Sequence, residues 1–315
     1  MNIFKVTENY SQNVKLRSTF LAINSVIGYR KKIWLFGHGR SGTTWISNLI
    51  NHDHYFREVF EPLHPKFIPE SSRCLKPHTY LKADEENDEL KKLVERCFSG
   101  RLAHKRTDEM NKIHIYQGLL VKDITSNLFA NWIYHQHIKN LHMIMIIRNP
   151  FSVAKSSVKL KWQSEPMNLY KNRKLRCDFL EPYEDVFYEI NAKNDPILKN
   201  ILCWSVLYHV PLKQFKNNQI KVLFYENVLH NPAREIANAL NKDVKIFQTI
   251  PESVINHPSR VSINTIENKQ LHINSWCNEL SKSTIDKGLD ILSRFGLMNL
   301  YDDNFRPKKI NLNSF

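Results

Sequence analysis

Five short runs of apolar, β-branched and aromatic residues recur along the chain, at 32–36, 56–60, 118–121, 142–147 and 220–224. Their length and composition predict strands. Between them, apolar residues at three- and four-residue intervals predict helices over 43–50, 84–98, 127–137, 150–160, 196–215, 232–240 and 283–295. Pro150 and Pro232 stand at helix starts, where the first turn tolerates a residue without an N–H. Strand and helix in alternation imply βαβ units, and so an α/β fold of three layers with a central, mostly parallel sheet flanked by helices. The run His142-Met-Ile-Met-Ile-Ile147 is apolar on both faces, as befits a central strand covered on both sides.

Two stretches break the alternation: 62–82, and 161–194 with its basic run Lys171, Arg173, Lys174 and Arg176. Either they are solvated surface loops, or, if they leave the carboxyl ends of strands, they build a ligand pocket or a lid. The simplest organisation is one domain over 1–315, with 1–30 as a lead-in and 161–195 as an insertion on the acceptor side.

Composition narrows the class. The chain has 315 residues, 42% hydrophobic, enough for one large core, and no apolar window approaches the ~20 residues of a membrane span. The stretch 20–27 is interrupted by Asn24 and Ser25 and followed, not preceded, by Arg30, Lys31 and Lys32, which reads as a helix rather than a signal peptide. Five dispersed cysteines without a CxxC pair indicate neither a zinc cage nor a disulfide framework, and fit a reducing cytoplasm. A formal charge of +14 calls for anionic partners: a nucleotide, an anionic glycan, nucleic acid, or peripheral contact with an anionic membrane. The basic residues are spread out and no nucleic-acid-binding pattern is present, so nucleic acid is not an expected partner. The oligomeric state is left open.

The sharpest local pattern is Gly37-His-Gly39-Arg40-Ser41-Gly42-Thr43-Thr44-Trp45, a strand entering a glycine-containing turn and then a helix. Such a turn lets backbone N–H groups at a helix start close on an anion, and the threonines add hydroxyl donors. From Gly37 the spacing follows the P-loop pattern, so the fold expected is P-loop-like, but Thr43 stands where the phosphate-gripping lysine belongs. A nucleoside triphosphatase also needs a carboxylate after a later strand to hold magnesium, and here that strand ends in Arg148. A cation there suits a metal-free site for a nucleotide with an additional phosphate.

The string Arg40-Ser41-Gly42-Thr43-Thr44-Trp45 resembles the 5′-phosphosulfate loop of sulfotransferases that use 3′-phosphoadenosine 5′-phosphosulfate (PAPS). Arg148-Asn-Pro150, with Ser156 eight residues after the arginine, resembles that family's 3′-phosphate motif. The string Tyr225-Glu226-Asn227 resembles its strand-to-helix connection and Phe295-Gly-Leu its C-terminal ending, both consistent with architectural roles. The resemblance implies a nucleotide site of Gly39, Arg40, Ser41, Gly42, Thr43, Thr44, Trp45, Arg148 and Ser156. It adds, more loosely, Arg260 and Ser262. PAPS would be the co-substrate, adenosine 3′,5′-bisphosphate the product, and no metal is expected.

Sulfuryl transfer builds negative charge on the oxygen bridging to the departing nucleotide. The resemblance assigns its neutralisation to Arg40, as in many carbohydrate sulfotransferases, with Lys122 assisting. A family histidine two residues after that lysine is missing, since position 124 is Ile. The segment Phe60-Glu61-Pro62-Leu63 resembles a string of the carbohydrate branch and makes Glu61 the selected base, with His64, Asp123 and Glu58 in reserve. A partly desolvated carboxylate tuned upward would suit that role, whereas an ion pair with a nearby arginine is its structural alternative. These features point to a hydroxyl acceptor on a saccharide, glycolipid or polysaccharide, with Trp162, Tyr170 and Tyr183 as candidate sugar-stacking rings. A P-loop nucleotide kinase and a non-catalytic anion-binding protein are the competing classes.

Overall fold

The computed structural model describes residues 19, 23–24, 28–112, 115–162, 164–256, 275–302 and 304–315. Strands β1 (Lys31–Gly37), β2 (Phe56–Phe60), β3 (Gly118–Asp123), β4 (Leu141–Ile147) and β5 (Lys221–Phe224) form one five-stranded, all-parallel sheet in the order β2-β3-β1-β4-β5. The helices around the sheet include α1 (Thr43–Ile50), α2 (Pro69–Cys74), α3 (Asp88–Phe98), α4 (Ala130–Tyr134), α5 (Pro150–Lys159), α6 (Pro166–Tyr170), α7 (Glu184–Lys193), α8 (Pro196–Gln214), α9 (Tyr225–His230), α10 (Pro232–Leu240) and α11 (Lys282–Arg294).

Successive side chains of each strand point to opposite faces, so each strand feeds two cores. Trp34, Phe36, Val121, Met143, Met145 and Ile147 pack under α3, α5, α8 and α11. Ile33, Leu35, Leu120, Ile144, Ile146 and Leu223 pack under α1, α9 and α10. That is the three-layer arrangement the strand composition predicted. The helix starts are written in Asx-Pro pairs. Asn149 accepts from the N–H groups of Phe151 and Ser152, Asp195 from Ile197 and Leu198, and Asn231 from Arg234, each with proline at the first helical position.

The described part of 161–195 is largely helical rather than a loop. It contains α6, a π-helical turn Arg176–Leu180 and α7, and it buries Leu169, Leu175, Leu180, Val186, Phe187 and Ile190 in the larger core. Short helical segments of different kinds carry these anchors, so no single period marks them in the sequence. Among the described residues no helix is long and apolar enough to cross a membrane.

From β1 the chain departs toward β2 at one edge, and from β4 toward β5 at the other. The crevice at the carboxyl ends of β1 and β4 is where open sheets of this kind receive ligands.

Candidate active site

The turn between β1 and α1 lies in that crevice. Gly42 caps α1 with φ 82°, and a Cβ on it would come within 2.4 Å of the Tyr225 ring. A Cβ on Gly39 would come within 2.7 Å of the Trp162 ring. Both positions therefore require glycine for contact reasons, and Gly42 also for its left-handed backbone. Arg40 adopts φ 70°, a conformation that costs a non-glycine residue about 1 kcal/mol or more. No side chain caps the first turn of α1, so its opening N–H groups have no side-chain acceptor.

A buried hydroxyl holds this turn in shape. Tyr208, on α8, donates to the Ile146 carbonyl of β4 at 2.7 Å and accepts from the His38 N–H at 3.1 Å. Its proton being committed to Ile146, it also accepts from the Ser41 hydroxyl at 3.0 Å. Burial raises the phenol's pKa, which keeps it protonated for this role. The glycine turn is thus tied to the end of the neighbouring strand by one atom from a distant helix.

Two guanidinium groups meet at the turn. Arg40 Nε donates to Ser156 Oγ at 3.0 Å, and Arg148 Nη1 donates to the Arg40 carbonyl at 3.2 Å. The Arg148 guanidinium lies 4.2 Å over the Tyr225 ring, and that of Arg40 lies 5.7 Å from the exposed ring of Trp162. Neither arginine forms an ion pair with a carboxylate among the described residues. Burial, and then repulsion from Arg148, holds the Arg40 pKa below its usual value. The turn that presents Arg148 is fixed from below: buried Glu226 accepts from the Asn149 N–H at 2.8 Å, and Trp204 Nε1 donates to the Arg148 carbonyl at 3.1 Å. The Tyr225-Glu226 pair, read as architectural, packs against Gly42 and braces both arginine positions.

Of the remaining nucleotide-site candidates, Ser41 and Thr43 are buried in the turn, and Trp45 is buried with its Nε1 donating to the Ile255 carbonyl at 3.1 Å. Thr44 is half-buried on the first turn of α1. Arg260 and Ser262 lie outside the described residues.

At the end of β2 the electrostatics differ from expectation. Glu61 is 6% exposed, with φ 47°, and both its carboxylate oxygens are occupied. One accepts from Lys122 Nζ at 2.6 Å and the other from Arg106 Nη2 at 2.8 Å. Burial pushes this carboxyl up, but Lys122 and Arg106 together outweigh it, and the net shift is downward rather than upward. Lys122 is not a solvated strand-end lysine: it is 1% exposed and lies 4.3 Å from the Phe60 ring centre. The carboxyl tuned upward is its neighbour Glu58, which burial raises to about 7 against the pull of Ser47 and Lys122, and whose Oε1 has no hydrogen-bond partner. Asp123 organises a turn, accepting from the Leu63 N–H and from both the N–H and hydroxyl of Thr125. His64 is half-buried, with its Nδ1 accepting from the Lys66 N–H, and burial lowers its pKa.

Two of the three proposed stacking rings belong to the core. Tyr170 is 5% exposed, and Tyr183 stacks on Phe295 at 4.1 Å. Trp162, 44% exposed at the lip of the turn, retains a free face, and Phe67 at 42% is a second exposed ring close to Arg106. The sequence reading also passed over His38 and His78. His38 contacts the Gly39 carbonyl through Nδ1 at 2.5 Å, which makes Nδ1 the protonated nitrogen of a neutral ring. Burial lowers its pKa to about 4, the backbone contact opposes this, and the nearby His78 adds to the fall. His38 was visible in the loop string itself; His78 carried no local signal.

A glycine turn at a helix start, an arginine at the end of the neighbouring strand and a serine on the helix after it meet at one end of a P-loop-like sheet. A model of the sulfotransferase domain matches residues 30–279, and the chain belongs to the sulfotransferase family, enzymes of sulfuryl transfer whose donor is PAPS. No curated protein matches the chain. Solved structures similar to it include the sulfotransferase domain from the curacin biosynthetic pathway, at 16% identity over 84% of this chain and 97% of that one, with a TM-score of 0.42. A sulfotransferase from Alicyclobacillus acidocaldarius shows 12% identity over 84% and 94% of the two chains, with a TM-score of 0.40. A mouse sulfotransferase complexed with PAP shows 14% identity over 87% and 88%, with a TM-score of 0.36.

Proposed function

We propose that this chain transfers the sulfuryl group of PAPS to a hydroxyl of a saccharide, glycolipid or polysaccharide in a reducing, cytoplasmic compartment, leaving adenosine 3′,5′-bisphosphate. The observation that carries the donor assignment is the pair Arg40 and Arg148, two cations at one turn without a carboxylate partner among the described residues. Such a pair wants an anion of more than one charge. The cradle fits it. The glycines at 39 and 42 leave no room for side chains of their own, and the first turn of α1 offers N–H groups without side-chain acceptors.

PAPS, when bound, supplies a sulfuryl group on a good leaving phosphate. Ser41, Gly42, Thr43, Thr44 and Trp45 hold the 5′ side through backbone N–H and hydroxyl donors, with Gly39 keeping the turn open. Arg148 and Ser156 hold the 3′-phosphate. Ser156 accepts from Arg40 Nε and so keeps its own O–H free to donate to a phosphate oxygen. Arg40, reaching between the two sides, carries the charge that counters the leaving oxygen, and Lys122 adds a second cation from β3. Arg260 and Ser262 complete the nucleotide contacts in this reading.

Glu61 is the proposed base. Its lowered pKa keeps it ionised at neutral pH, the state a base requires, while its ion pairs with Lys122 and Arg106 reduce its basicity and orient it. Exposed Trp162 and the insertion 161–195 supply the acceptor side, where a free aromatic face suits the apolar face of a sugar ring. The five cysteines are free, in keeping with a reducing compartment.

The test has two arms. Calorimetry should give tight binding of adenosine 3′,5′-bisphosphate that is indifferent to magnesium, and weak binding of ATP. Incubation with labelled PAPS and a panel of hydroxylated glycans and glycolipids should yield labelled acceptor. Magnesium-dependent preference for ATP would make the chain a kinase, and bisphosphate binding without turnover on any acceptor would make it a binding protein.

A further inference from the structure

At the opposite end of the sheet from the phosphate turn, the amino ends of β1 and β4 form the floor of a cavity of about 380 Å³. Its walls are the end of α1 and the chain after it, through Ile50, Asp53, Tyr55 and Phe56, and the end of α10 with the following turn, through Leu240, Lys242, Ile246 and Phe247. Lys31, Lys32, Asn140 and His142 border it from the sheet. The volume falls in the range of small-molecule sites, ~300 Å³ and upward, which combine a mostly apolar lining with a few convergent polar groups.

Three lysines stand among the polar groups of the lining, and they are not spent on ion pairs within the protein. Lys31, Lys32 and Lys242 form no ion pair with a carboxylate among the described residues. Asp53, the one acidic group on the lining, accepts from the Tyr55 N–H instead. His142 is turned to the Ala239 carbonyl. Lys31 and Lys242 stand close enough that contact with Lys242, and then burial, lowers the Lys31 pKa, and burial lowers that of Lys32. Two ammonium groups held together beside apolar walls are a state that an anion relieves. Beyond them the wall is the Phe56 and Phe247 rings with Ile33, Ile50 and Leu240, while Ile246, 47% exposed, leaves an apolar rim open to solvent.

We propose that this cavity is a second ligand site, for an amphipathic anion: a carboxylate, sulfate or phosphate-ester head held between Lys31 and Lys242, and an apolar body against Phe56, Phe247, Ile50 and Leu240. Nothing in this reading depends on the identity of the sulfate acceptor, and the site is separated from the phosphate turn by the length of the sheet.

The probe is dodecanoate, below its micellar concentration, titrated calorimetrically into the full chain already saturated with adenosine 3′,5′-bisphosphate. The expected result is one saturable site, unaffected by the nucleotide and weakened by added salt. The double substitution Lys31→Gln with Lys242→Gln should weaken dodecanoate at least tenfold, whereas the same change at two exposed lysines elsewhere, Lys66 and Lys309, should not. Dodecanol and dodecyltrimethylammonium should bind at least tenfold more weakly than dodecanoate, and sodium sulfate alone should not reproduce its affinity. Leu240→Trp, which fills the cavity and keeps the charges, should also abolish binding. Retained bisphosphate affinity shows that each variant is folded. Sedimentation with phosphatidylglycerol vesicles separates the two sources of such a head: co-sedimentation lost in the double variant assigns a membrane lipid, and monomeric dodecanoate binding without it assigns a free acid. No saturable site, displacement by the bisphosphate, equal binding of the alcohol or of sulfate, or indifference to Lys31 and Lys242 each overturns the proposal.

Discussion

Replacing Tyr208 with phenylalanine removes a single oxygen and keeps the ring, so its cost measures the tie between the glycine turn after β1 and the sheet. That oxygen is fully buried and makes three hydrogen bonds: one donated to Ile146 at 2.7 Å, and two accepted, from His38 at 3.1 Å and Ser41 at 3.0 Å. The Ser41 hydroxyl can rotate toward another partner, but the Ile146 carbonyl and the His38 N–H are backbone groups in a dry place. A net hydrogen bond contributes about 1 kcal/mol and a buried group left unpaired costs ~1–3 kcal/mol, so the loss should reach ~2–4 kcal/mol. Urea denaturation of the free protein, with unchanged slope, gives that figure. Repeating it in saturating adenosine 3′,5′-bisphosphate should show a larger difference, because a loosened turn also binds the nucleotide less well. Tyr301→Phe is the control. Its hydroxyl makes one long contact, 3.5 Å to Glu226, and its loss should cost under ~1 kcal/mol. If Tyr208→Phe costs no more than Tyr301→Phe and leaves nucleotide affinity intact, the hydroxyl does not hold the turn.

Other variants test the chemistry. Arg148→Ala should weaken adenosine 3′,5′-bisphosphate far more than adenosine 5′-phosphosulfate, measured by calorimetry; equal losses would remove Arg148 from the 3′-phosphate. Arg40→Ala should lower turnover by ~10²–10³ with a smaller change in substrate affinity, because its charge is matched to the transition state. Glu61→Gln should spare nucleotide affinity and lower transfer by ~10²–10⁴, with loss of the acidic limb of the turnover profile; retention of both limb and rate would move the role to Glu58, His64 or Asp123. Glu58, raised to about 7, binds its proton more tightly folded than unfolded, so stability should fall as pH rises from about 4.5 to 7 and then level off, by up to roughly 3 kcal/mol. Glu58→Gln should flatten that slope in urea melts across the range.

The strands were legible because each carries its own burial pattern. The run 56–60 coincides with β2, and the two-faced apolar run at 142–147 is β4, paired with both β1 and β5. Helix starts were equally local, since Asn149-Pro150 and Asn231-Pro232 cap and open their helices within three residues. The insertion was not legible as helix. Its anchors Leu169, Leu175, Leu180 and Phe187 are spaced by turns of several helical kinds, including a π-turn, so no single period runs through them.

The active-site candidates divide along the same line. Gly42, Arg40 and Arg148 could be picked out as candidates from short strings because a glycine turn and a strand end are local features. Tyr208 could not, because it sits in a helix of ordinary apolar residues and acts on a turn 167 positions away in sequence. Glu61 shows the limit more sharply, since its position was readable and its charge state was not. Burial alone raises a carboxyl, and a sequence shows burial tendency. The sign here is set by Lys122, from a strand paired in register so that Phe60 lies beside it, and by Arg106, from a connection with no motif. The same strand then gives the raised pKa to Glu58, three residues earlier, which reaches the buried face without an arginine beside it. Two carboxyls three residues apart, one on β2 and one just past its end, thus diverge through partners that only the fold supplies, and moving the cations from Glu61 to Glu58 would raise the first carboxyl and lower the second.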